Sequence, residues 1–279
     1  MRNILKTKSS VWYAAAVIFI MLFGACASTN AQTVAWKLDF NSGYAGDMGR
    51  AMVESSDGYV WVVGQSDSSG FGGNMYAVKI NKDGVKMTDR SFPRSTGSAE
   101  TAVDIFETPD AFLVIAGDQT IKVDSNGSEL WRKTISTVGL TWQNINRYYG
   151  LGEAVAVGGK GDDLLLMRFG ALSGDTVWSR TYGTSGDESP LAIKRTADNG
   201  LIILGETFVS DPDGDIYLLR LNNAGDSLWA SVINGAPEEW PQDVIETSSG
   251  EFVVCGDAFV SGRNYEMYAT KISFDGSAV

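Results

Sequence analysis

Short apolar segments separated by turn residues recur along this chain from about residue 36 to its last residue. The most apolar segments, each followed closely by a glycine, lie at 59–63, 112–115, 154–157, 201–204 and 252–254. They are rich in β-branched and aromatic residues, as is typical of β-strands. No segment after residue 31 shows a sustained helical period, so the pattern predicts an all-β fold.

Each of these runs belongs to a larger unit. Weaker segments precede them at 51–54, 102–105, 191–194 and 243–246, and alternating apolar and polar segments follow at 76–80, 165–169, 217–221 and 267–272. A glycine turn and a fourth segment complete the unit. In three units a tryptophan stands four residues after that glycine: Gly127 and Trp131, Gly174 and Trp178, Gly225 and Trp229.

These tryptophans set the register of an internal repeat. Its units start near Trp36, Met87, Trp131, Trp178 and Trp229, about 44 to 51 residues apart. Four-stranded antiparallel units of this length, arranged in series, are typical of β-propeller blades. We therefore predict a five-bladed β-propeller over residues 32–279, with the Trp36 run closing the ring as the fourth strand of the last blade. A fragment of a longer propeller is the alternative. We expect the strand-four tryptophans to lie in the core.

The units resemble those of secreted bacterial β-propeller repeat proteins. The segment from Ala171 to Trp178, which reads Ala-Leu-Ser-Gly-Asp-Thr-Val-Trp, is similar to the tryptophan-bearing blade motif of pyrroloquinoline-quinone-type propellers. The resemblance extends over essentially all of the chain after Trp36. It implies the fold and no single activity, because propellers serve as enzymes, binders and scaffolds alike.

Residues 1–31 have the pattern of a secretory signal peptide. Three basic residues precede an apolar run over 11–25, which is shorter than a membrane span. Small residues at 29–31 predict cleavage before Gln32. The alternative is a lipoprotein, since residues 22–26 resemble a lipobox that would place a lipid on Cys26. Both alternatives predict an exported protein, located in the periplasm, at the cell surface or outside the cell.

Composition and charge exclude several kinds of catalytic site, metal site and binding partner. The chain has no histidine and two cysteines, which excludes serine–histidine and cysteine–histidine catalysis, histidine-ligated zinc and a disulfide framework. The net charge of −12 disfavours nucleic acid and anionic membrane surfaces as partners. Cys255 lies in a strand-like apolar run, so we expect a buried, unreactive side chain.

A binding site is expected on one face of the propeller. In a four-stranded blade, the loop into the first strand and the loop between the second and third strands share a face. These loops are long and varied here, whereas the turns at the other face are short and uniform. Variable loops on a rigid scaffold commonly carry binding. The candidate ligand-binding residues on this face are Tyr44, Asp47, Trp142, Glu188, Glu239 and Trp240.

The carboxylates on this face have two readings. Glutamates recur two residues before a small residue, at Glu100, Glu188 and Glu239. This fits either a carboxylate ring for a cation or glycoside chemistry, or a repeated structural contact with backbone N–H groups. Separately, Asp211, Asp213 and Asp215 place carboxylates at alternate positions, as a calcium loop would. The alternative for that segment is a solvated acidic turn. No other cofactor is expected.

The predicted function is binding. We expect a monomeric exported scaffold that presents its loop face to a protein or glycan, with no nucleic acid partner and no membrane contact beyond a lipid on Cys26. One alternative is a glycoside-active enzyme with carboxylates at the central channel. Another is a structural component of the cell envelope.

Overall fold

The structure is a computed structural model that describes residues 37–39, 46–66, 73–93, 101–116, 119–134, 140–148, 153–209, 214–233, 239–260, 262 and 264–277. The chain divides into two compact units, Met1–Leu38 and Asp39–Val279. All the strands described here belong to the second unit. No helix in the described ranges is long and apolar enough to cross a membrane.

The described residues form nineteen strands and confirm the all-β prediction. The first sheet contains β1 (Met48–Glu54), β2 (Val60–Ser66), β3 (Asn74–Ile80) and β4 (Lys86–Phe92), and the second contains β5 (Ala102–Glu107), β6 (Phe112–Ala116), β7 (Gln119–Val123) and β8 (Glu129–Thr134). The third contains β9 (Leu140–Tyr148), β10 (Glu153–Lys160), β11 (Asp163–Gly170) and β12 (Thr176–Tyr182). The fourth contains β13 (Asp187–Arg195), β14 (Leu201–Phe208), β15 (Asp215–Leu221) and β16 (Ser227–Ile233), and the fifth contains β17 (Glu239–Glu246), β18 (Phe252–Val260) and β19 (Asn264–Ile272).

Each sheet is an antiparallel meander whose strands follow chain order. The first strands of consecutive sheets contact each other, from β1 to β5, β9, β13 and β17. Four apolar clusters fill the spaces between successive sheets. The predicted closing run from Trp36 is described only at 37–39, where no strand is assigned. The five-bladed ring and its closure therefore stay predictions.

The glycine that follows each apolar run has a packing reason in the first, fourth and fifth sheets. Gly64, Gly205 and Gly256 pair with the first strand of their sheet beside a register shift. An added Cβ at Gly205 would lie 2.6 Å from the backbone oxygen of Ser189. A side chain at this point would therefore collide with backbone of the bulged strand.

The strand-four tryptophans contact the next sheet. Trp131 Nε1 donates to the Leu172 carbonyl at 2.9 Å, and Trp229 Nε1 donates to the Phe274 carbonyl at 3.0 Å. The ring of Trp131 covers the turn glycine Gly174, whose φ is +73°. Both tryptophans are half-buried and pack against the apolar clusters, so they belong to the margin of the core.

A basic residue recurs near the end of the third strand in every sheet. Each one pairs with an acidic residue at or near the turn between the first and second strands. In the second and fourth sheets the cation is almost fully buried while its acidic partner is largely exposed. The five pairs are Lys79 with Asp57, Lys122 with Asp110, Arg168 with Glu153, Arg220 with Asp198, and Lys271 with Glu251.

The two faces of the fifth sheet differ in burial. Val244, Phe252 and Val254 are buried against the fourth sheet. On the opposite face, Met267 is 91% exposed. Cys255 lies on that second face and is exposed, so the prediction of a buried thiol was wrong. The cause is strand alternation, which buries residues 254 and 256 and points residue 255 the other way.

Candidate functional site

The tight turns lie at one end of the strands and the longer connections at the other. The turns between first and second strands close with short backbone hydrogen bonds, such as Gly58 N to the Ser55 carbonyl at 2.8 Å and Asn199 N to the Thr196 carbonyl at 2.9 Å. We call the opposite end, where first and third strands begin, the loop face. The candidate residues that the structure describes belong to this end.

The predicted site residues do not form one cluster. Asp47 is near the loop-face end of β1. Burial raises the pKa of Tyr76 most, followed by the hydrogen bond and charge of Asp89, and the charge of Asp47 adds the smallest part. Trp142 lies within strand β9, opposite Gly158, and not in a loop as we expected. Tyr44, Asp211, Asp213 and the proposed lipidation site Cys26 lie outside the described residues.

Four other candidates lie at or near strand starts on the loop face. Glu188 is in β13, Glu239 and Trp240 begin β17, and Asp215 is the first residue of β15. Glu188, Glu239 and Asp215 are buried, whereas Trp240 is exposed. The sequence pattern had placed them on open loops. The three carboxylates are therefore buried within the sheets and do not lie on open loops.

Glu188 is held by hydroxyl groups. It is 5% exposed, and its Oε1 accepts hydrogen bonds from Thr184 Oγ1 and, at 2.7 Å, from Thr207 Oγ1. Its backbone N–H donates to the Asp162 carbonyl at 2.8 Å, which joins the third and fourth sheets. The structural alternative for this glutamate predicts that backbone N–H groups donate to its carboxylate. Side-chain hydroxyls take that role.

The second carboxylate oxygen of Glu188 is different. Oε2 is buried and has no hydrogen-bond partner. A Cβ added at Gly183 would overlap both this oxygen and Asp163 Oδ1. Two atoms that collide with the same added carbon are close neighbours, so the two carboxylates meet over Gly183. Sequence reasoning singled out neither Asp163 nor Gly183.

Tyr217 borders this pair of carboxylates. Its side chain is buried, and burial first, then the charges of Glu188 and Asp163, raise its pKa to about 12. The phenol therefore stays protonated at neutral pH and presents a neutral hydroxyl group to the acidic pair.

A related arrangement lies at the boundary of the fourth and fifth sheets. The hydroxyl of Tyr268 is buried and has no partner. Burial, and then the charge of Glu239, raises the pKa of this phenol. Burial also raises the pKa of the nearby Glu206. Across the described part of the chain, no three or more acidic or cysteine side chains are grouped so as to hold a metal ion by themselves.

Aromatic rings cluster at the loop-face end of the fifth sheet. The ring centroids of Trp240 and Tyr265 are 4.4 Å apart, and those of Phe259 and Tyr265 are 5.6 Å apart. Trp240 is 36% exposed and Tyr265 is 51% exposed. The three rings form an exposed aromatic surface, which we call the aromatic platform. The sequence indicated Trp240 alone, because the partners come from two other strands.

Neither a protein-family model nor a curated protein sequence matches this chain. Solved structures do. Hydrazine synthase from Kuenenia stuttgartiensis matches with a TM-score of 0.59 and 14% identity, over 84% of this chain and 66% of that chain. The WD40 domain of Pan2 from Neurospora crassa matches with a TM-score of 0.55 and 13% identity, over 84% of this chain and 65% of that one. The Dos1 propeller matches with a TM-score of 0.55 and 11% identity, over 83% and 57%.

At these identities the similarity shows the fold alone, which is that of a β-propeller. The chain spans less than two thirds of the length of each of these proteins. The propeller prediction is confirmed at that level. The number of blades and the relation to secreted bacterial propellers stay predictions.

Proposed function

We propose that this protein is an exported β-propeller that binds a glycan or protein ligand at its loop face. The observation that carries the proposal is the aromatic platform of Phe259, Trp240 and Tyr265. The three rings lie on the face of the fifth sheet that does not pack on the fourth. Exposed apolar patches on monomeric proteins commonly mark binding sites, and the proposal requires that this loop-face end stays exposed when the ring closes. Trp and Tyr also supply much of the binding energy in interfaces, because they offer large rigid surfaces with a polar group.

The chemistry around the platform supports a ligand with both apolar and polar faces. Asp257 pairs with Trp240 across the β17–β18 ladder, so a carboxylate adjoins the indole on the same side of the sheet. Aromatic faces accept apolar C–H surfaces, and a carboxylate accepts hydrogen bonds from hydroxyl groups. A sugar ring offers both kinds of group, and so does a tyrosine-rich or serine-rich protein surface.

Trp240→Ala is expected to weaken ligand binding at least about tenfold, because it removes the largest ring of the platform. The measurement is binding of the purified protein to a panel of soluble oligosaccharides, followed by calorimetry on those that bind. Phe274→Ala is the matched control. It removes an exposed aromatic side chain in the turn after β19, at the opposite end of the strands.

Equal loss of binding in the two variants would contradict a site on the platform. If no oligosaccharide binds, the proposed glycan ligand is wrong, and a protein ligand becomes the form of the proposal to test. Release of new reducing ends from the bound oligosaccharides would favour the glycoside-active alternative.

Export is the second part of the proposal and has its own test. Expression of the full chain in a bacterial host should yield a mature protein that begins at Gln32, as measured by intact mass after fractionation. Cys26→Ser should leave that mass and location unchanged. A lipid-modified N-terminus at Cys26, lost in the variant, would favour the lipoprotein alternative. An unprocessed chain in the cytoplasm would contradict export.

A further inference from the structure

We propose that Asp163 and Glu188 bind a calcium ion at the boundary of the third and fourth sheets. Glu188 is 5% exposed, and its Oε2 is buried without a hydrogen-bond partner. That oxygen and Asp163 Oδ1 converge on the space above Gly183. This site is separate from the predicted calcium loop at Asp211–Asp215 and from the aromatic platform.

A structural role explains the burial of only one of the two carboxylate oxygens of Glu188. Oε1 receives two hydroxyl hydrogen bonds, from Thr184 and Thr207. Oε2 receives none, and it faces a second carboxylate. A buried acceptor without a donor and two adjacent like charges are both unfavourable. A bound cation removes both costs at once.

Four basic residues of the third and fourth sheets form ion pairs with carboxylates other than Asp163 and Glu188: Arg168 with Glu153, Arg180 with Asp226, Lys194 with Asp243, and Arg220 with Asp198. A bound cation would supply positive charge beside Asp163 and Glu188, which these four residues do not provide.

The donor set selects a hard cation. The oxygens that converge here come from two carboxylates, and the hydroxyls of Thr184, Thr207 and Tyr217 surround them. The chain has no histidine. All-oxygen sites with carboxylates and flexible geometry are typical of calcium, with water completing the coordination. With only two carboxylates, the affinity is expected in the range of extracellular modules, a Kd of about 0.1 to 1 mM.

The repeat provides an internal comparison. At the boundary of the fourth and fifth sheets, Asp215 stands at the position of Asp163, Glu239 at that of Glu188 and Tyr268 at that of Tyr217. The sequence position equivalent to Gly183 is Asn234. The space over Gly183 requires a residue without a side chain, so we assign the calcium site to the first of the two boundaries.

The test is thermal unfolding of the full-length protein, treated with EDTA and then titrated with calcium chloride. At ten times the Kd, the wild-type melting temperature should rise by about 3 to 5 °C. Magnesium chloride at the same ionic strength should give a smaller rise. Asp163→Asn should abolish the response to calcium. Without calcium it should melt at or above the wild-type temperature, because it removes the repulsion between the two carboxylates.

Loss of the calcium response in Asp163→Asn, together with a melting temperature at or above that of the wild type without calcium, distinguishes a calcium site from a structural carboxylate. Glu239→Gln is the matched control and should keep the calcium response, even where its starting melting temperature is lower. A wild-type protein that ignores calcium would overturn the proposal, as would a full response in Asp163→Asn. Stabilisation by mild acid without a calcium response would assign the two carboxylates a shared proton instead. None of these outcomes depends on ligand binding at the aromatic platform.

Discussion

Arg220→Met is expected to lower the free energy of unfolding by about 3 kcal/mol, because it removes a buried cation with several partners. The Arg220 side chain is 3% exposed, and its guanidinium donates to the carbonyls of Leu201, at 3.1 Å, and Leu221. It also pairs with Asp198 at 2.5 Å. Asp198 is largely exposed, so water solvates it in the variant, and the cost arises mainly from the lost hydrogen bonds inside the sheet.

Denaturant unfolding measures this effect, with two further variants for comparison. Arg220→Lys should lose clearly less stability than Arg220→Met, because the equivalent position holds lysine in three other sheets: Lys79, Lys122 and Lys271. Lys194→Ala breaks an exposed pair with Asp243, both side chains being nearly half exposed, and should cost less than about 1 kcal/mol. A loss in Arg220→Met no larger than that in Lys194→Ala would show that the buried cation is not needed for stability.

Gly205→Ala is expected to cost about 2 to 3 kcal/mol, although alanine is normally better tolerated than glycine in a strand. The added Cβ would lie 2.6 Å from the Ser189 oxygen, which belongs to backbone and cannot rotate away. The adjacent register shift between Pro190 and Ala192 fixes that backbone in place. The strand must therefore move, and with it the pairing of β13 and β14.

Gly159→Ala is the matched control for this substitution, since Gly159 also lies in the second strand of a sheet. An added Cβ there meets nothing within 4 Å. We expect its stability to change by no more than about 1 kcal/mol, in the stabilising direction, because alanine restricts the unfolded chain. Equal unfolding free energies for the two variants would contradict the close approach seen at Gly205.

Strands that consist of an uninterrupted run of apolar residues were predictable from the sequence. Runs such as 201–204 and 252–254 correspond to β14 and β18. The prediction missed β7 and β9, because their apolar residues alternate with threonine, glutamine and asparagine. One signal could have identified β7. Lys122 occupies the same place in its segment as the recurring basic residue of the other third strands.

The candidate sites were less predictable, because each forms where separate strands or sheets meet. Glu188 was recognisable as part of a repeated pattern. Its neighbour Asp163 belongs to the preceding sheet, and nothing in the spacing of the two residues indicates their contact. Tyr265 joins Trp240 only because β17 and β19 flank β18 with their residues on the same side. Periodicity predicts which side of a strand a residue occupies, whereas contact across a sheet boundary depends on how two sheets are stacked.

At the turn end of the strands, side-chain hydrogen bonds run from each of the first four sheets to the next. Lys79 donates to the Ser125 carbonyl, Trp131 to Leu172, Arg168 to Asn223 and Trp229 to Phe274, so each sheet places its donors on the turn of its successor. Loss of one sheet therefore strips partners from the sheet before it. The described sheets therefore behave as nearest-neighbour units, and local unfolding of one sheet is expected to destabilise its immediate neighbours before the more distant sheets.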